Sequence, residues 1–206
     1  TGDQVCLKNN PRVTVKLTNC TLINTVKTDT LIGGGMNIAF AYLANGIDVT
    51  IDSCTADKGV YISDGSGEKT VINKSSLGEL TLGGTAATVT ETTTTGKAHL
   101  GADEITIKDD SFVGLKIDGS GDTILENINS KGTSLNCALE IGGSGQITVK
   151  SGVYTNDNGS AIQSSGFPVV LEGGYFKGTK SVDGAYTTPA GKILGDVTEG
   201  EYAGYQ

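Results

Sequence analysis

The sequence predicts an all-β chain wound as a solenoid, and three observations carry that expectation. Two stretches, Ile147-Thr148-Val149-Lys150-Ser151-Gly152-Val153-Tyr154 and Val169-Val170-Leu171-Glu172-Gly173-Gly174-Tyr175-Phe176, agree position by position. Each reads aliphatic, variable, aliphatic, polar, small, Gly, apolar, aromatic, and their starts lie 22 residues apart. Short segments with aliphatic residues around a polar one recur along the chain, and that alternation marks a strand with one buried face. Hairpin turns are scarce: only Asn45-Gly46 and Asn158-Gly159 offer the dipeptide that joins neighbouring antiparallel strands. Strands that return at an interval without hairpins stack coil on coil, so equivalent side chains form columns.

The repeat starts at Val15, Val49, Thr70, Ile105, Thr123, Ile147 and Val169, which gives about seven coils. The intervals are 34, 21, 35, 18, 24 and 22 residues, and the two long ones read as coils with loop insertions. One domain, 1–206, is expected, with a lead-in over 1–11, coils over 12–182 and a C-terminal cap over 183–206. The first insertion holds the one helical candidate, Met36 to Ala44. The second, Gly83 to Ala102, contains Thr92-Thr93-Thr94-Thr95. Thr is β-branched and a poor helix former, so this segment is expected as an extended loop or extra strands outside the coil. A second alternating segment follows most starts: Val60-Tyr61-Ile62, Leu80-Thr81-Leu82, Leu115-Lys116-Ile117, Leu139-Glu140-Ile141 and Ala161-Ile162. Small corners come next, at Gly65-Ser66-Gly67, Gly119-Ser120-Gly121, Gly143-Ser144-Gly145 and Ser165-Gly166, where glycine is expected to supply positive φ. One inward column should hold Leu22, Ala56, Leu77, Phe112, Tyr154 and Phe176, broken at Ser130. In the cap, Pro189 suits a stop, Tyr186, Ile193, Leu194 and Val197 can cover the last coil, and Glu199 and Glu201 discourage stacking.

Composition excludes several classes. Glycine is frequent (31 of 206 residues) but proline is rare (3), and no triplet period exists, so this is not collagen. The net charge is −8 with Arg12 the single arginine, which argues against nucleic acid and against anionic lipid surfaces. No apolar run approaches the roughly 18 residues of a membrane-spanning helix. Beginning at Thr1 without Met, the chain is expected to have lost a leader or to be an excised piece.

Read through as "ITVKSGVYTNDNGSAIQSSGFPVVLEGGYFKG", Ile147 to Gly178 resembles the coils of right-handed parallel β-helices in secreted bacterial proteins of the pectin-lyase-like class. It is similar in particular to bacterial surface proteins with Gly-Gly-aromatic coils. The resemblance spans roughly residues 12 to 182. It implies a right-handed coil and an extracellular or cell-surface location. It does not choose an activity, because such coils carry lyases, hydrolases, adhesins and phage tailspikes alike.

Several residues are candidates for chemistry. Asp109 and Asp110 form a carboxylate pair of the kind used in glycoside hydrolysis. Hydrolases of the resembled class also carry a further Asp and basic residues, which are not visible here, so two solvated corner acids are the preferred reading. His99 is the sole histidine and could act as a base, yet it lies in the Thr-rich segment with no Cys or His nearby. Lyases of the class rely on a basic residue with Ca²⁺-binding acids. Arg12 is too near the N-terminus for this, which leaves Lys116 and Lys150, each otherwise a surface lysine. The acids of Asp118-Gly119-Ser120-Gly121-Asp122, and those from Asp52 to Asp64, could offer oxygen ligands to Ca²⁺. No calcium-loop spacing is present, and solvated turn acids are preferred; no other cofactor is implied.

Cys20 and Cys54 occupy equivalent places in consecutive coils, about 4.8 Å apart, which is within disulfide reach. Parallel Cβ vectors make that geometry poor, so small buried hydrophobes are the other reading; Cys6 and Cys137 have no assigned partner. On the outside of the first strands lie Lys16, Thr50, Val71, Thr106, Ile124, Thr148 and Val170. The Val and Ile interruptions point away from an ice-binding threonine ladder and toward a face partly covered by an insertion or a partner. Three functions follow as expectations: a non-catalytic surface structural or adhesive β-helix, a polysaccharide lyase or hydrolase, and a self-assembling filament or sheath subunit. Expected partners are a polysaccharide or surface molecule, or further copies of the chain.

Overall fold

The computed structural model describes residues 5–7, 13–22, 39–43, 47–57, 59–62, 69–133, 137–189 and 203–204. Among the described residues the chain visits three sheets in rotation, and each sheet has nine strands stacked in sequence order. Sheet A runs from Val5–Leu7 to Val182–Asp183, sheet B from Val13–Thr18 to Tyr186–Thr187, and sheet C from Thr21–Leu22 to Ala203–Gly204. Every pairing is parallel except the last of sheet C, where Ala203–Gly204 runs antiparallel to Tyr175–Lys177. The fold is therefore a parallel β-solenoid, and the described residues contain no helix. Among them, no helix is long and apolar enough to cross a membrane.

Alternation sets which side of each strand is buried. In Lys69–Asn73, Thr70 and Ile72 point in while Lys69 and Val71 point out, and Glu104–Lys108 repeats the pattern with Ile105 and Ile107 inside. All seven expected starts lie on sheet B strands. The second alternating segments are sheet A strands, with Leu80, Leu82, Leu115, Ile117, Leu139 and Ile141 buried.

Sheet C contributes the expected aromatic column. Leu77, Thr94, Phe112, Ser130, Tyr154 and Phe176 follow one another along the axis, all buried. Tyr154 and Phe176 stack with ring centroids 5.6 Å apart. Ser130 stays in the column because its hydroxyl donates to the Ala138 carbonyl at 2.7 Å.

Three expectations are corrected. Gly83 to Ala102 is not an insertion outside the coil but a complete coil: Ala86–Thr90, Thr93–Thr94 and Ala98–Leu100 each take a place in one sheet. Register pairs Thr70 with Ala87 and Ala87 with Ile105, so the 35-residue interval is two coils of 17 and 18 residues. Ala87, Val89, Thr92, Thr94, Ala98 and Leu100 are buried, so this segment belongs to the core and does not cover the outer face of sheet B. The helical candidate from Met36 to Ala44 is a strand where it is described, Ala39–Leu43, paired in parallel on both sides.

The third correction concerns the corner glycines. Gly119, Gly121, Gly143 and Gly145 do not take positive φ. They are needed because a Cβ would collide with a backbone carbonyl of the preceding coil: Ala102, Asp103, Gly119 and Gly121 respectively. Gly166 does take positive φ, at 130°. Gly65 and Gly67 lie outside the described residues, as do the cap residues Ile193, Leu194, Val197, Glu199 and Glu201.

Candidate functional site

The outer face of sheet A gathers most of the paired charges. Because the aliphatic residues of each strand point in, the middle residue points out, and the register stacks these residues one above another. The column reads Tyr61, Thr81, His99, Lys116, Glu140, Gln163 and Asp183. Neighbouring residues in such a column lie about 4.8 Å apart, close enough for direct contact.

The contacts form a chain across three coils. His99 Nε2 lies 2.7 Å from Asp118 Oδ2, and Lys116 Nζ approaches the same oxygen at 3.5 Å. Lys116 also reaches Glu140 Oε1 at 3.5 Å, and Lys97 Nζ donates to Glu140 Oε2 at 3.2 Å. Glycine makes room for the central acid: a Cβ at Gly101 would meet Asp118 Oδ1 at 2.9 Å, and Gly142 flanks Asp118 on the next coil. These side chains are partly exposed and mutually restrained, with donors and acceptors turned outward at fixed spacing. Such a strip suits a ligand with many hydroxyls. The His99–Asp118 pair, with Lys116 beside it, is also a candidate proton acceptor.

Asp109 and Asp110 do not act as a surface pair. At the first six corners between sheets B and C one non-glycine residue adopts positive φ: Asn19, Ser53, Lys74, Glu91, Asp109 and Asn127, between 48° and 60°. That kink turns the next side chain inward and builds a column of Cys20, Cys54, Ser75, Thr92 and Asp110, partly buried at Cys20 and buried from Cys54 on. Each member satisfies backbone groups at the corner. Cys54 N–H donates to Ser75 Oγ, Ser75 N–H to Thr92 Oγ1, and Thr92 N–H to Asp110 Oδ1 at 2.7 Å. Ser75 and Thr92 hydroxyls donate back to the carbonyls of Asn73 and Thr90.

Asp110 is 3% exposed and also accepts from the Lys108 N–H at 3.1 Å. Burial raises its pKa to about 7, against the pull of those two N–H donors. Asp109 points to solvent and accepts from Asn127 Nδ2 at 2.7 Å. The two carboxylates thus face opposite ways.

The remaining candidates are dispersed. Asp122 Oδ1 accepts from the Gln146 N–H at the entry to sheet B, on the far side of the Gly119–Gly121 corner from Asp118. Among the described residues no three His, Cys, Asp or Glu side chains stand close enough to hold a metal ion. Lys150 is an exposed residue following Ile147–Val149 on sheet B, away from the Lys116 network. Cys20, Cys54 and Cys137 are free thiols. Burial raises the Cys137 pKa, and its thiol lies 3.7 Å from Gln163 Oε1.

The sequence alone does not bring the sheet A network together, because Lys97 and His99 fall in the segment expected to lie outside the coil. The signal was present: Ala98 and Leu100 flank His99 as Leu115 and Ile117 flank Lys116. Comparison with known proteins finds no family model, no curated protein and no solved structure that matches this chain.

Proposed function

We propose that this chain is an extracellular or cell-surface β-helix of the right-handed, pectin-lyase-like kind, serving as a structural or adhesive protein. Its contact surface is the outer face of sheet A, and its partner class is a polysaccharide. The observation that supports this reading is the in-register column from Tyr61 through His99, Lys116 and Glu140 to Gln163, whose charged members are fixed by ion pairs. An extended glycan repeats along its length as the coils do, so successive sugars would meet successive rungs. The test is binding to a panel of soluble and insoluble polysaccharides. A ligand should be retained by the wild type and lost on Lys116→Ala/Glu140→Ala, with an unchanged circular dichroism spectrum. Equal retention by that variant would remove sheet A from the proposal.

A polysaccharide lyase or hydrolase is the second reading, and the 2.7 Å contact between His99 and Asp118 favours it. Here His99 would accept a proton while Asp118 orients the ring and stabilises its charge. New reducing ends or unsaturated products in the same panel, abolished by His99→Ala, would move this reading ahead.

A further inference from the structure

The polar column at the corner between sheets B and C begins with two thiols. Thr21 pairs with Thr55 and Thr18 with Asp52, so Cys20 and Cys54 stand at the same place on adjacent rungs. Two backbone hydrogen bonds bracket them, Asn19 N–H to the Asp52 carbonyl at 3.0 Å and Thr55 N–H to the Cys20 carbonyl at 2.8 Å. Their Cα atoms are therefore about one rung apart, ~4.8 Å, inside the range that a disulfide spans. Both thiols sit in the same orientation, each donating to the carbonyl two residues back: Cys20 to Thr18 at 3.5 Å, Cys54 to Asp52 at 3.3 Å. Burial raises the Cys54 pKa, and Cys20 acts directly on it as a neighbour.

We propose that Cys20 and Cys54 are a redox clasp that joins the first two rungs of sheets B and C by a reversible disulfide. The rungs differ in access. Val15, Leu17 and Cys20 are only partly buried, whereas Val49, Ile51 and Cys54 are fully buried. A small-molecule disulfide, such as oxidised glutathione, therefore meets Cys20 first. The Cys20 thiolate attacks one sulfur of that disulfide, releasing one small thiol and leaving a mixed disulfide on Cys20. The Cys54 thiol then gives up its proton and attacks the Cys20 sulfur, releasing the second small thiol. Two protein thiols lose two electrons and two protons, and one external disulfide gains them.

Exchange with an added thiol runs the same two steps backward, which makes the clasp reversible. The place is one where a clasp matters: Val13 to Ile47 is the longest step between partner strands of sheet B. Closing a long loop removes the most freedom from the unfolded chain.

The test equilibrates the chain in glutathione buffers of graded redox ratio and maps peptides without reduction. The expected result is a Cys20–Cys54 linked peptide with the loss of two hydrogens, and a Tm about 5–10 °C higher than in the reduced protein. Dithiothreitol should reverse both, and Cys54→Ser should abolish both while folding normally, because Ser75 already occupies the same site one rung on. A stable glutathione adduct on Cys20 with no internal bridge, or bridges only to Cys6 or Cys137, would overturn the clasp.

Discussion

Asp110 and Tyr154 show how single residues depart from what their neighbours in a column do. Asp110 has a folded pKa of about 7, well above the ordinary aspartate value. Below about pH 4 the group is neutral in both states and its full contribution is present. Between there and pH 7 the unfolded chain releases a proton that the folded chain keeps, so stability falls as pH rises, by up to about 4 kcal/mol in total. Asp110→Thr installs the hydroxyl that Thr92 uses on the adjacent coil. We expect its urea midpoint to fall less than that of the wild type between pH 5 and pH 8; parallel slopes would remove Asp110 as the titrating group. Tyr154 is fully buried, with a hydroxyl that has no hydrogen-bond partner among the described residues. Burial without a partner raises its pKa and leaves a desolvated polar atom in the core. Tyr154→Phe keeps the stack on Phe176 and should stabilise by about 1 kcal/mol, a rise in Tm of roughly 2–4 °C by calorimetry. A fall in Tm would mean the hydroxyl is bonded.

At the scale of the element, the coil from Ala86 to Asp103 tests what a rung is. Ala86 pairs with Glu104, so excising residues 86–103 joins Thr85 to Glu104 in register. The shortened protein should fold with the same β-rich spectrum, having lost one repeat and one interface. Removing residues 88–96 instead cuts through the strands Ala86–Thr90 and Thr93–Thr94 and leaves partners on both sides unpaired. That variant should lose more than about 4 kcal/mol or fail to fold, as read by denaturant titration.

The same coil shows where the sequence was legible. The alternation of Ile105-Thr106-Ile107 or Leu115-Lys116-Ile117 is visible because the inward residues are large. The coil containing Ala87 and Thr94 carries no such signal, because its inward residues are small where other coils place Tyr154 and Phe176. Packing explains the substitution: Thr94 lies between Leu77 and Phe112, and Ser130 between Phe112 and Tyr154, so small residues make space for large neighbours along the axis. Volume is conserved over adjacent coils rather than within each one. The candidate site failed to assemble for the same reason. Lys116, Asp118 and His99 each stood out singly, but only register brings them together.

For the whole molecule, the ends of the stack decide whether it remains single. Sheet C closes on an antiparallel strand, Ala203–Gly204, while sheet B ends at Tyr186–Thr187 with Tyr186 44% exposed. Truncation after Gly184 removes both strands and opens the edges of Val169–Leu171 and Tyr175–Lys177. We expect end-to-end oligomers or aggregates by light scattering, since open edges are templates for further strands. A stable monomer would show that these strands do not guard the end; fibres formed by the intact chain and lost on truncation would favour a filament subunit. The parallel stacking also makes the solenoid a mechanical object with a grain. Hydrogen bonds between coils lie along its axis, so tension along that axis is shared at each junction by three sheets acting as springs side by side. The springs are unequal. Ala86–Thr90 is joined to each neighbouring strand at five positions, whereas Thr93–Thr94 meets Ser111–Phe112 at a single one. A stretched stalk of this design would hinge about sheet B and part first along sheet C, opening coil by coil like a seam, and single-molecule pulling would record its extension in steps one coil long.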